Sequence, residues 1–136
     1  MVQRVQKRVQ KERGKSEKGY HRLLVWQRAR ELVSLIYKVT IGFPREELFG
    51  LTSQLRRAVV SVLLNIVEGH NRESTVEVLR FFEIARGSLA EVEACLEISL
   101  DLGYLDKKTY DEVEKKRAEV AFLIFKYRGS LRNKGR

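Results

Sequence analysis

The sequence predicts an all-α protein, an antiparallel up-down-up-down four-helix bundle, on three observations. Proline occurs once in 136 residues, at Pro44. The long segments are rich in Leu, Val, Ala, Glu, Lys and Arg, which favour helix, and their apolar residues recur at helical spacing. At 43% hydrophobic content, a chain of this length supports one core in one domain.

The first helix is expected over residues 20–41. Val25, Trp26, Ala29, Leu32, Val33, Ile36, Tyr37 and Val39 fall on one side, with Gln27, Glu31, Ser34 and Lys38 opposite. Gly42 is the expected left-handed stop, and Phe43-Pro44 opens a connector reaching Gly50. The second helix is expected from an N-cap at Thr52 to a stop at Gly69. The third starts at Ser74, with Glu77 completing a capping box, and ends at Gly103. Its inner stripe is Val78, Phe81, Phe82, Ala85, Leu89, Val92 and Leu96. Asp106 caps the fourth, Leu105 staples onto Tyr110, and Val113, Val120, Ala121, Ile124 and Tyr127 carry it to about residue 128. The short connections make neighbouring helices antiparallel.

Within the second helix, Gln54, Arg57, Ser61, Asn65 and Glu68 gather in a polar strip about 80° wide. Leu55, Val59, Val60, Val62, Leu63, Leu64, Ile66 and Val67 cover most of the rest. One core face needs a stripe of somewhat over 100°, so the excess implies a second buried contact, most simply with another copy of the chain. The polar strip has two readings. Either it is the solvent face between two buried sides, or it is itself buried, with Arg57, Asn65 and Glu68 satisfying one another and neighbouring helices. Gly87, inside the third helix, is expected at a close approach of another helix, with Ser88 hydrogen-bonding across.

The net charge of +9 lies at the two ends. Residues 1–19 hold Arg4, Lys7, Arg8, Lys11, Arg13, Lys15 and Lys18 against Glu12 and Glu17. Residues 126–136 hold Lys126, Arg128, Arg132, Lys134 and Arg136 with no acid. The expected organisation is a basic, flexible N-terminal extension over 1–19, the bundle over 20–131 and a basic tail over 132–136. The charged start without an apolar segment, and the lack of a spanning apolar run, point to the cytoplasm and away from a membrane.

The stretch "FPREELFGLTSQLRRAVVSVLLNIVEGHNR", followed by "FFEIARGSLAEVEACLEISLDLGYL", resembles the 23S rRNA intervening-sequence protein family over residues 20–131. The matching positions are Phe43-Pro44, Glu47, Gly50-Leu51, Gln54, Arg57, Ser61, Asn65, Glu68-Gly69, Arg72 and 85–88. That resemblance implies an antiparallel four-helix bundle assembled as a homo-oligomer of five subunits. Members are encoded within insertions in bacterial 23S rRNA genes, and a related bundle is an accessory factor of diversity-generating retroelements. An RNA or DNA partner is implied by analogy.

The residues suggest no catalytic chemistry. Ser61, Ser88 and Ser99 lack nucleophile-elbow glycines, and the chain has no phosphate-cradling loop of the Walker or dinucleotide type. Cys95 has no neighbouring histidine in sequence and sits at the edge of an apolar stripe, as a core cysteine does. His21 and His70 form no pair with metal-ligand spacing. No cofactor and no metal are expected. The basic residues Arg4, Lys7, Arg8, Lys11, Arg13, Lys15, Lys18, Lys126, Arg128, Arg132 and Lys134 are the candidate nucleic-acid contacts, acting through charge with little sequence selectivity. The alternative is an oligomeric scaffold that binds another protein.

Overall fold

The computed structural model describes residues 19–134. Among them are four α-helices and no strand: α1 (Leu24–Thr40), α2 (Leu51–His70), α3 (Thr75–Asp101) and α4 (Lys107–Lys134). Short 3-10 turns at Gly19–Arg22 and Arg45–Glu47 precede α1 and α2. Each helix packs on its neighbours in the chain, and α1 also packs on α4, so the four close a ring around one core.

The core follows the apolar periodicity. Leu32 and Ile36 of α1, Leu55, Val62 and Ile66 of α2, Phe82, Val92 and Leu96 of α3, and Val113 and Val120 of α4 are wholly buried. Burying a side chain of this size stabilises by about 1.5–3 kcal/mol. Tyr37, expected inward, is instead 41% exposed; its ring lies under the Arg56 guanidinium at 4.8 Å.

The ends of α1 and α2 differ from expectation. Gly42 is not left-handed: among the described residues only Gly103 has a positive φ, +76°. α1 ends at Thr40, whose carbonyl accepts from the Phe43 N–H at 3.1 Å, because Pro44 turns residue 43 away from helical geometry. Thr52 is not an N-cap; α2 begins at Leu51 with Gly50 in the cap position, and Thr52 is buried in the first turn. Gly69 is not a stop, since α2 continues through His70.

The third and fourth helices start as expected. Ser74 Oγ accepts from the Glu77 N–H at 3.2 Å, although the Glu77 carboxylate turns to Arg80 at 3.4 Å instead of closing the box. Asp106 Oδ1 accepts from the Thr109 N–H at 2.7 Å, and Leu105 is buried. Gly103 ends α3 in the left-handed conformation that costs glycine least. α4 runs past residue 128 to Lys134, so residues 132–134 continue a helix. Residues 1–18, almost all of the expected extension, lie outside the described residues.

Candidate functional site

The polar strip of α2 divides. Asn65 Nδ2 donates to the Ser61 carbonyl at 2.8 Å and to Ser61 Oγ at 3.2 Å. Ser61 Oγ in turn lies 2.9 Å from Ser88 Oγ of α3. These three half-buried residues link the two helices. Of the two readings, the mutual network of Arg57, Asn65 and Glu68 is not formed: Glu68 pairs with Arg72 at 2.8 Å, and Gln54, Arg57 and Glu68 are exposed, as the solvent-face reading has them. A side chain at Arg57 points about 80° away from Asn65 around the helix, which is too far for the two to meet.

The expected close approach lies at a different glycine. A Cβ on Gly87 would meet nothing within 4 Å, so Gly87 faces open space while its neighbour Ser88 makes the bond across. Gly69 is the position that needs no side chain. A Cβ there would stand 2.9 Å from Cδ2 of Phe82 and 3.1 Å from Cβ of Phe81. In the sequence Gly69 closes an apolar run and reads as a terminator; only the crossing of α3 reveals its packing role.

On its outer side α2 borders an open groove of about 690 Å³, lined among others by Tyr37, Leu48, Phe49, Arg57, Val60 and Leu64. Phe49 is 94% exposed and Leu64 56%. This is part of the excess apolar arc, and none of the described residues covers it. Arg56 is held on its flank by a 2.8 Å bond from Nε to Thr40 Oγ1. The Thr40 hydroxyl donates to the Ile36 carbonyl at 2.7 Å, a link between α1 and α2 that sequence reasoning missed because a threonine at a helix end carries no distinctive spacing.

Of the basic candidates, Arg4, Lys7, Arg8, Lys11, Arg13, Lys15, Lys18 and the Lys134 side chain lie outside the described residues. Arg128 is turned inward: its side chain is 16% exposed and pairs with Glu83 at 2.7 Å. Lys126 and Arg132 are exposed on α4. Beside them stand two aromatic residues that the sequence reading passed over, Phe122 and Phe125, 58% and 73% exposed. Lys126 Nζ lies 5.5 Å from the centroid of the Phe122 ring. Both phenylalanines fall outside the inner stripe of α4, which was the available signal.

Several other charges tie helices together. Arg28 Nε meets Glu119 at 2.8 Å, and Lys116 meets Glu31 at 2.7 Å, tying α1 to α4. Arg117 bridges Glu114 at 2.6 Å and Glu93 at 3.3 Å, tying α4 to α3. The hydrogen bond from Lys116 holds the Glu31 carboxyl below its ordinary range, and that from Arg86 does the same for Glu83. Burial pushes the Cys95 thiol up. His21 packs against Trp26 at 4.5 Å. Among the described residues no group of three or more His, Cys, Asp or Glu is placed to hold a metal ion, and no helix is long and apolar enough to cross a membrane.

Residues 21–126 match the family described as 23S rRNA-intervening sequence protein. A crystal structure of a protein of unknown function from the S23 ribosomal protein family of Bacteroides thetaiotaomicron is similar in fold, with a TM-score of 0.70 at 21% identity. The similarity covers 77% of this chain and 98% of that one. Comparison with curated proteins finds no match.

Proposed function

Because the chain belongs to the 23S rRNA-intervening sequence protein family, we propose that it is a non-enzymatic homo-oligomer that holds RNA or DNA against basic surfaces. The observation that carries this reading is the second half of α4. From Val120 to Lys134 it contains no acid and four Lys or Arg, of which Lys126 and Arg132 stand exposed. Repeated around an assembly, such weak phosphate contacts act together. The family description and the ribosomal family of the structural neighbour point toward RNA.

Assembly is supported by the groove beside α2. A monomer rarely leaves a phenylalanine and a leucine this open on one flank with Val60 between the two, and a second copy is the partner always at hand. Five subunits is the number that the family resemblance implies. An antiparallel order of helices is supported by the cross-links. Ser61 meets Ser88 while Gly69 abuts Phe82; Arg28 meets Glu119 while Glu31 meets Lys116. In each pair of helices one number rises as the other falls.

Purification without nuclease tests the function. Protein that elutes with an absorbance maximum near 260 nm, lost on nuclease treatment, is the expected result. Nucleic-acid-free protein that retains neither RNA nor DNA at about 50 mM salt would overturn it and favour the protein-scaffold alternative.

A further inference from the structure

We propose that the outer face of α4 is a binding site for single-stranded nucleic acid, in which Phe122 and Phe125 stack on bases while Lys126 and Arg132 neutralise the backbone. The proposal rests on the nucleic-acid reading above and adds the form of the ligand and the residues that select it.

The two phenylalanines are three residues apart, so they stand on one side of the helix about 5–6 Å apart at Cβ. They are 58% and 73% exposed, and neither belongs to the buried core. Apart from Lys126 over the Phe122 ring, small residues flank them along the exposed side. Ala118 lies one turn before Phe122 and Gly129 one turn after Phe125, and a Cβ on Gly129 would meet nothing within 4 Å. The rings are therefore open to a flat ligand.

Charge decides what kind of flat ligand fits. Lys126 stands beside the Phe122 ring, and Arg132 follows Phe125 by seven residues, two turns along the same face. The last acid before them is Glu119, which is occupied by Arg28 at 2.8 Å. The Glu83 carboxylate of α3 lies near Arg132 but is held by Arg86 at 2.6 Å and Arg128 at 2.7 Å, so rings flanked by these exposed cations match a polyanion whose bases are splayed out, because every base presents a π-face to an aromatic platform. A duplex hides those faces and leaves only phosphates to bind. A two-fold contact of this surface with its own copy would bring like charges together, and the mass of the phenylalanine variant tests a head-to-tail contact. A lipid surface would gain little area from two side chains with alanine and glycine around them.

The test compares a single-stranded RNA of about 20 nucleotides of mixed sequence with the same strand annealed to its complement. The full chain is expected to bind the single strand more tightly. Replacing Phe122 and Phe125 together with Ala should weaken single-strand binding at least about thirtyfold, the lower end of what two stacked bases contribute. Duplex affinity and the log-log salt slope should stay unchanged. The pair Lys126→Gln and Arg132→Gln should make the slope shallower for both ligands. Circular dichroism and light scattering on each variant check that helicity and mass are preserved.

Single-strand affinity unchanged in the double Ala variant would overturn the proposal while leaving nucleic-acid binding intact. So would a fall in assembled mass, which would make the face an interface between copies, or capture by anionic vesicles that needs the phenylalanines while RNA binding does not. Failure of both RNA forms to bind would remove the functional reading and this site together.

Discussion

Gly69 of α2 lies so close to Phe82 of α3 that a single added carbon would stand 2.9 Å from the ring. Phe82 is wholly buried and stacks on Tyr127 at a centroid distance of 4.5 Å, so the ring has nowhere to move. Gly69→Ala should therefore destabilise the chain by about 1–3 kcal/mol, as overpacking does, despite the better helix propensity of alanine. Urea unfolding followed by circular dichroism measures it.

Gly87→Ala should act in the opposite direction. Its position is helical and open, so alanine should stabilise by roughly 0.5–1 kcal/mol through helix propensity alone. The same unfolding experiment, run beside Gly69→Ala, should separate the two glycines by sign.

The Ser61–Ser88 bond should appear as a coupling. Ser61→Ala takes the hydroxyl partner from Ser88, and Ser88→Ala leaves Ser61 Oγ with Asn65 Nδ2 alone, so each single change should cost on the order of 0.5–1.5 kcal/mol, Ser61→Ala the more. The double variant should cost less than the two costs combined, with an interaction energy of similar size. Additive values would mean that the two hydroxyls stabilise nothing by meeting.

Acid should weaken the bundle in a defined window. Glu31 and Glu83 both titrate below their ordinary value of 4.5, mainly through hydrogen bonds from Lys116 and Arg86 respectively. Near that pH the unfolded chain binds more protons than the folded one, so this contribution is complete above 4.5 and is lost as pH falls through the lower folded values. Both carboxylates are well exposed, so the effect is modest. Urea midpoints at about pH 6 and pH 3 should differ less in Glu31→Gln than in the parent chain.

Leu64→Glu should separate folding from assembly. Leu64 is exposed in the single chain, so helicity should persist and stability shift by no more than about 0.5 kcal/mol. Light scattering should give a multiple of the chain mass for the parent, as the proposed assembly requires, and the 15.9 kDa chain for the variant. An unchanged assembled mass would place the interface elsewhere on the bundle.

The four helices and their inner stripes were legible because burial imposes a 3.6-residue period that survives in the amino-acid order. Ser74, Gly103, Asp106 and Leu105 were legible for a similar reason: caps and staples are local, and every partner lies within a few residues. Gly69 and Gly87 were not. Both read as glycines in helical surroundings, and which one meets another helix depends on where α2 and α3 cross, a fact spread over distant residues. Thr40 with Arg56, sixteen residues apart, is another such pair. The polar strip was visible as a strip but not as a division, because Ser61 bonds across to Ser88 and Asn65 bonds back to Ser61 while Arg57, on the same helix, is left exposed.

Cys95 is the chain's one cysteine, only 6% exposed in the core, with its thiol made less acidic by burial. A thiol so placed is inert toward aqueous reagents until the helices around it part. The rate at which a disulfide reagent labels it thus becomes a clock for bundle opening, read without introducing any probe. Where reclosing is faster than labelling, that rate scales with the fraction of chains open at equilibrium. It should accelerate in Gly69→Ala and slow in Gly87→Ala, turning a buried atom with no partner chemistry into a gauge of how tightly the four helices are held.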